Sequence, residues 1–410
     1  MRKFSLFYLL AAMLLATGCE SEVLDQEIKK PVIKDGQTSI SITGDGMVST
    51  RSSNGRVEFT GGYATGAGLY AGDAYATVEA VPYDGYQLVN FAGGPIGGNT
   101  NQFSGRSQYE FNIESQDWQF KVTFKKKDTK FIAVGDDGSI VYYDNGNVTT
   151  QKVGTGRWYA VTYGNGKYVA VGGYSGVGGN AIAYSSNNGE TWNSTTGGTI
   201  RGLLSVTYGN SVFAAVGNGG AIAYSTDGIN WVKPSINIYE TFNSIAYGNG
   251  KFVAVSSNSA TSIVSSNGVS WDISAMPWIA RSIIFDGTRF VLLGSGGETA
   301  FSSDGTTWEI GNTVQMMNNA AKMAYGNGSY VSVCDNHYTG SKGAIFYSTD
   351  AINWTMTFIP NNNAWNDIAY GNGQFVAVGQ GGDIAKSTDG VHWEVSIMGD
   401  SSLFGICFIQ

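Results

Sequence analysis

Short apolar runs of four residues, each opened by an aromatic, recur along the chain at intervals of about forty residues: Phe131-Ile-Ala-Val134, Tyr168-Val-Ala-Val171, Phe213-Ala-Ala-Val216, Phe252-Val-Ala-Val255, Phe290-Val-Leu-Leu293, Tyr330-Val-Ser-Val333 and Phe375-Val-Ala-Val378. A continuous apolar run this short, bounded by turn residues, predicts a strand buried on both faces. Five of the runs follow Tyr-Gly-Asn, as at Tyr163 to Asn165 and Tyr370 to Asn372, and a sixth follows Phe285-Asp-Gly287. Asn-Gly and Asp-Gly steps tolerate positive φ and favour tight turns, so each buried strand is expected to be the second arm of a hairpin.

A third strand follows, and then a polar segment ending in Trp: Ser185 to Trp192, Ser225 to Trp231, Ser265 to Trp271, Ser302 to Trp308, Ser348 to Trp354 and Ser387 to Trp393. Its Ser and Asp or Asn side chains are suited to satisfying turn amides, and its Trp to packing between sheets. A residue used alike in every repeat serves the fold rather than catalysis. Four strands per unit at this spacing predict a β-propeller. Residues 131 to 150 supply a second, third and fourth strand without a first, whereas Leu403-Phe-Gly-Ile-Cys-Phe408 has the first-strand pattern of Trp365-Asn-Asp-Ile-Ala-Tyr370. The expectation is an all-β chain in which residues 128–410 form a seven-bladed β-propeller, closed by pairing of its N- and C-terminal strands so that no sheet edge stays open. The six polar segments resemble the Asp-box (BNR) repeats of sialidases, sortilin-like receptors and photosystem assembly factors, a resemblance that implies a sialidase-superfamily-like fold.

The residues before the propeller change character twice. Arg2 and Lys3, the apolar stretch from Phe4 to Ala16 and the small residues before Cys19 have the grammar of a secretory signal, and the apolar run is too short to span a membrane. Ala16-Thr-Gly-Cys19 resembles the lipobox of bacterial lipoproteins, which implies acylation of Cys19 and a lipid anchor. Glu20, Ser21, Glu22, Asp25 and Glu27 are similar to the acidic export signals of Bacteroidota surface lipoproteins, and imply display on the outer membrane. The expected organisation is a signal over 1–19, a polar tether over 20–36 and a small β domain over 37–127. In the last of these, Ser39 to Ile42, Ala76 to Ala80, Tyr109 to Ile113 and Trp118 to Phe124 alternate as half-buried strands. Ala71 to Lys125, with Ala80-Val-Pro-Tyr-Asp-Gly-Tyr86, resembles an internalin-type B-repeat, which implies a spacer or adhesion module.

Composition narrows the chemistry. Charged residues make up 14% of the chain, and Lys+Arg 24 against Asp+Glu 32 gives a net charge of -8. There is no basic footprint for nucleic acid. Two His and three Cys cannot build the usual zinc or copper site, so no metal and no cofactor is expected.

Candidate chemistry falls in the loops leading into each first strand, on the face opposite the hairpins. Arg157, Arg201 and Arg281 stand near the starts of three such strands, where they either converge to grip a carboxylate or remain separate and solvated. The first arrangement is similar both to the arginine triad of sialidases and to the arginine patch of Asp-box assembly factors, which bind protein. Trp278 after Pro277, with Tyr239, Glu240 and Tyr338, offers further surface for a ligand, while Trp158 and Trp365 occupy a packing position equivalent to Leu203 and Phe242. No catalytic residue is assigned. The expected function is a monomeric, non-catalytic binding platform for glycan or protein. The alternatives are a sialidase-like glycoside hydrolase, for which no Arg-Ile-Pro motif is present, and a scaffold in envelope assembly.

Overall fold

The computed structural model describes residues 37–48, 55–71, 74–83, 85–173, 182–195, 202–313, 320–334, 344–359 and 364–409. The signal, Cys19, the tether, Arg201 and Tyr338 lie outside them.

Alternation in the first region folds as the period-two pattern dictates. Gln37–Gly44 runs parallel to Trp118–Lys126, with Ile40 opposite Trp118. These strands lie inside a five-stranded sheet with Gly68–Ala71 on one side and Tyr86–Pro95 and Asn101–Gln102 on the other. A second sheet orders Val57–Phe59, Gly62–Thr65, Tyr75–Pro82 and Gln108–Asn112. The apolar member of each alternating pair turns inward, so that Ile40, Phe59, Phe91, Phe111, Trp118 and Phe120 share one core.

From Lys130 onward the described residues form seven antiparallel sheets. The sheet of Trp158–Gly164, Lys167–Gly172, Ile182–Ser185 and Asn193–Thr195 sets the pattern: an inner strand, the fully buried apolar strand beside it, a third strand and an outer one. The sheet beginning at Leu203–Gly209 departs from it, since its outer strand is reduced to a single bridge between Tyr224 and Val232. Pro234 follows two residues later and cannot donate to a ladder. In the remaining sheet Leu403–Phe408 pairs antiparallel with Lys130–Gly135, Phe131 opposite Phe408, so the last strand of the chain is innermost in a sheet otherwise made at the start of this region. Successive inner strands lie side by side, and Leu403–Phe408 touches both Trp158–Gly164 and Trp365–Gly371.

Two local devices recur at the hairpin end, one joining neighbouring sheets and one closing its own turn. At the end of the inner strands, the Gly of Tyr-Gly-Asn makes room for the aromatic of the next strand: a Cβ on Gly209 would stand 2.1 Å from the Tyr247 ring, and one on Gly326 2.0 Å from that of Tyr370. The Asn that follows takes positive φ, as at Asn210 (φ 46°), and its amide donates onward to the Ser266 carbonyl at 3.2 Å. In the polar segments, Ser302 Oγ donates to Asp304 Oδ1 at 3.0 Å and accepts from Gly305 N at 2.8 Å, while Asp304 Oδ1 accepts from Thr306 N and Thr307 N, both at 2.8 Å. The same Ser–Asx contact recurs at Ser185, Ser225, Ser265, Ser348 and Ser387. The indole N–H groups of Trp192, Trp231, Trp271 and Trp393 donate to the carbonyl of the turn Gly. These segments therefore close their own turns, as expected of a structural repeat.

Candidate functional site

The opposite ends of the inner strands are built differently. The first residue of six of the strands is packed between sheets: Trp158, Leu203, Phe242, Ala280, Trp365 and Leu403 are all buried. The register then slips by one residue in every sheet, leaving Tyr159, Leu204, Asn243, Arg281, Ala321, Asn366 and Phe404 as bulged positions. A bulge frees a residue from the ladder and re-aims its side chain. Six of the seven line one open cavity of about 470 Å³, together with Asp136, Arg157, Lys322, Gln380 and Ser402. Small-ligand sites occupy roughly 300–1,000 Å³.

Below the bulges, the third residue of several strands bridges to the next. Ser205 Oγ accepts from Ile245 N at 3.3 Å and Ser244 Oγ from Ile283 N at 3.2 Å. Asp367 Oδ2 does the same for Ile406 N at 3.0 Å, in the last strand of the chain. Burial pushes the Asp367 carboxyl up to about 6, against the pull of Lys322 and the amides of Ile368 and Ile406. Lys322 occupies the equivalent third position and has no acceptor to offer. Its Nζ reaches across the intervening strand to donate to the Asn243 carbonyl at 2.9 Å. Burial pulls its ammonium below the ordinary lysine range, and Asp367 works in the opposite direction.

Arg157 and Arg281 are brought to this one cavity. Arg157 Nε donates to Asp136 Oδ1 at 2.5 Å and its guanidinium lies 4.4 Å from the centre of the Phe404 ring. Burial opposes its charge more than any one contact favours it, and the hydrogen bond and charge of Asp136 together with Tyr159 outweigh that opposition, moving its pKa upward. Tyr239 and Glu240 do not line the cavity: Tyr239 is 76% exposed, and its backbone N–H donates to Glu240 Oε2 at 3.1 Å. Trp278 was expected to offer surface to a ligand, and here the structure corrects the sequence. It is half-buried against the core of Ile283 and Phe290, with Nε1 above Gly294, where a Cβ would come within 2.5 Å of it. The absent side chain of Gly294 makes the seat. Trp158 and Trp365 pack as expected.

Tyr159, Asn243, Lys322, Asn366 and Phe404 were not singled out by the sequence. The available signal was positional: in each repeat they follow the residue that opens the inner strand by one or two places. Among the described residues no group of three or more His, Cys, Asp and Glu is placed to hold a metal ion.

Comparison with known proteins finds no matching family model and no curated relative in sequence. Among solved structures, a quinonprotein alcohol dehydrogenase-like protein from Bacteroides thetaiotaomicron aligns with a TM-score of 0.50 at 13% identity, over 82% of this chain and 95% of that one. YCF48 bound to D1 peptide aligns at 0.47 with 17% identity, over 61% of this chain and 85% of its own. A catalytically inactive virginiamycin B lyase from Staphylococcus aureus, with quinupristin, aligns at 0.49 with 12% identity, over 59% and 85%. At 13% identity the likeness to the quinonprotein alcohol dehydrogenase-like protein concerns fold alone, and it agrees with the succession of antiparallel sheets: the chain is an all-β protein with a β-propeller fold.

Proposed function

We propose that the protein is a surface-anchored, non-catalytic binding platform that takes its ligand, a glycan or a protein, at the mouth encircled by the bulged residues. In this reading the seven sheets close into one seven-bladed ring, Cys19 is acylated and carries the chain on the outer membrane, and residues 37–127 space the ring from the anchor. The supporting observation is the cavity itself, where Arg157, Arg281 and Lys322 supply positive charge, Asn243 and Asn366 supply amides, and Tyr159 and Phe404 supply flat faces. Repeats that are alike at the hairpins and unlike at the mouth fit a scaffold with a ligand-specific rim.

Binding is favoured over hydrolysis by the state of the carboxylates. Glycoside hydrolysis ordinarily needs two of them flanking the bond. Asp136 is the carboxylate among the described lining residues, and it is tied to Arg157. A glycan-array screen of the full chain, run beside a fluorogenic sialoside assay on the same sample, tests the reading. Saturable binding without turnover, lost in Arg281→Ala, is expected; turnover makes the hydrolase primary, and silence in both directs the search to protein partners.

A further inference from the structure

Lys322 is the lysine among the described residues that line the mouth cavity, and its setting differs from that of a surface lysine. It is half-buried at the third position of its inner strand, with Nζ fixed by donation to the Asn243 carbonyl at 2.9 Å. A carbonyl accepts from a neutral amine as well as from an ammonium, so this bond does not require the charge. Among the described residues Lys322 forms no ion pair. Asp367, on the next inner strand, acts on it from beyond ion-pair reach, and the Asp367 carboxylate is engaged by the amides of Ile368 and Ile406. Burial outweighs the pull of Asp367 and favours the uncharged amine.

An amine biased toward its neutral form at the wall of a cavity is a nucleophile, and its electrophile is the carbonyl carbon of an aldehyde or ketone. Hydroxyls on such a ligand suit the rest of the lining, where Asn366, Gln380 and Ser402 offer hydrogen bonds. We propose that Lys322 captures a small hydroxylated aldehyde or ketone, such as the open chain of a reducing sugar, as a reversible imine. The Nζ lone pair forms a bond to the carbonyl carbon, and one amine proton passes to the oxygen. The hydroxyl so formed departs with the second amine proton as water, and the C=N bond takes its place. Nothing is oxidised or reduced. When solvent protonates the imine nitrogen, its one N–H remains available to the Asn243 carbonyl. The proposal rests on the reading of the mouth as the binding face and adds to it a covalent hold without turnover.

Reductive trapping tests it. The full chain is treated with glyceraldehyde and cyanoborohydride at neutral pH, and the labelled lysines are located by peptide mass spectrometry. Lys322 is expected to be labelled at least about tenfold faster than Lys125 or Lys126, which are exposed, since each unit taken off an amine's pKa gives about tenfold more of the reactive form. Propionaldehyde, which lacks the hydroxyls, should show a smaller preference, and in urea the preference should vanish. Labelling of Lys322 no faster than that of Lys125 in the folded chain overturns the capture, and the platform reading is then decided by the glycan array alone. A preference that survives in urea also overturns it, because the cavity is then not its cause. An equal preference with propionaldehyde overturns the hydroxylated class of ligand.

Discussion

The two ends of the inner strands obey different rules. At the hairpin end most sheets repeat one solution: five inner strands end in a glycine that receives the neighbour's ring, and six sheets carry a Ser–Asx turn that closes on its own amides. At the mouth every sheet repeats only the backbone, a bulge after the first residue of the inner strand, and the side chain it presents changes from Tyr159 to Asn243, Arg281 and Phe404. Uniform chemistry marks what the fold needs from each repeat, and varied chemistry on a uniform backbone marks where the fold leaves a choice. The contrast gives substitutions at the two ends opposite signatures.

The largest effect is expected from removing residues 403–410, which withdraws the innermost strand from the sheet of Lys130–Gly135 and exposes Phe131 and Trp158. The truncated chain should lose its cooperative thermal transition in circular dichroism; an unchanged melt would mean that the pairing is dispensable. Next in size, Gly326→Ala drives a Cβ into the Tyr370 ring. Overpacking of this kind costs about 1–3 kcal/mol, readable by denaturant titration. Ser302→Ala leaves the Gly305 amide and one lone pair of Asp304 unmet, and belongs to the same range or slightly below it, about 1–2 kcal/mol.

A smaller and signed effect is expected from pH. The amides of Asn353 and Ile352 hold the Asp350 carboxyl well below the usual carboxylate range. Its folded pKa is depressed, so its contribution is complete above the unfolded value of about 4 and fades as the pH falls below it. Asp304, held chiefly by the amide of Thr307, behaves in the same way. Asp367 has the opposite sign. Its carboxyl is raised to about 6 by burial, so its contribution is fullest below about pH 4 and is lost as the pH rises through about 6. Melting temperature followed from pH 3 to 8 should therefore show an acid limb and a gentle decline near 6. Asp367→Asn keeps an acceptor for Ile406 N and should remove the decline.

What could be read from the sequence follows the same division. The buried strands, the hairpins and the Ser–Asx turns were legible because they recur in register. So was the completion of the sheet of Lys130–Gly135 by Leu403–Phe408, because two incomplete units fit together. The Gly of Tyr-Gly-Asn was read only as part of a turn, since its second task depends on a neighbour contributed by the next repeat. Arg157 and Arg281 were found as charges near strand starts, but not the bulge that aims Asn243 and Arg281 inward. A register slip depends on pairing with the second strand and leaves no mark in composition. Trp278 was misplaced because its seat is made by Gly294, a residue whose absent side chain gives no local signal.

The central claim is that the bulged residues bind and the box residues only build. A paired alanine scan tests it most directly, with Asn243, Arg281 and Asn366 as one set and Ser225, Ser302 and Ser387 as the other, each variant read for glycan-array binding and for melting temperature. The account predicts that mouth variants lose binding, with the transition of the parent kept in Arg281→Ala and lowered only slightly in the two Asn variants, which each give up one hydrogen bond to the next strand, and that box variants melt lower while binding normally below their melting temperature. Loss of binding in the box set at temperatures where it is folded, with the mouth set unaffected, would contradict it.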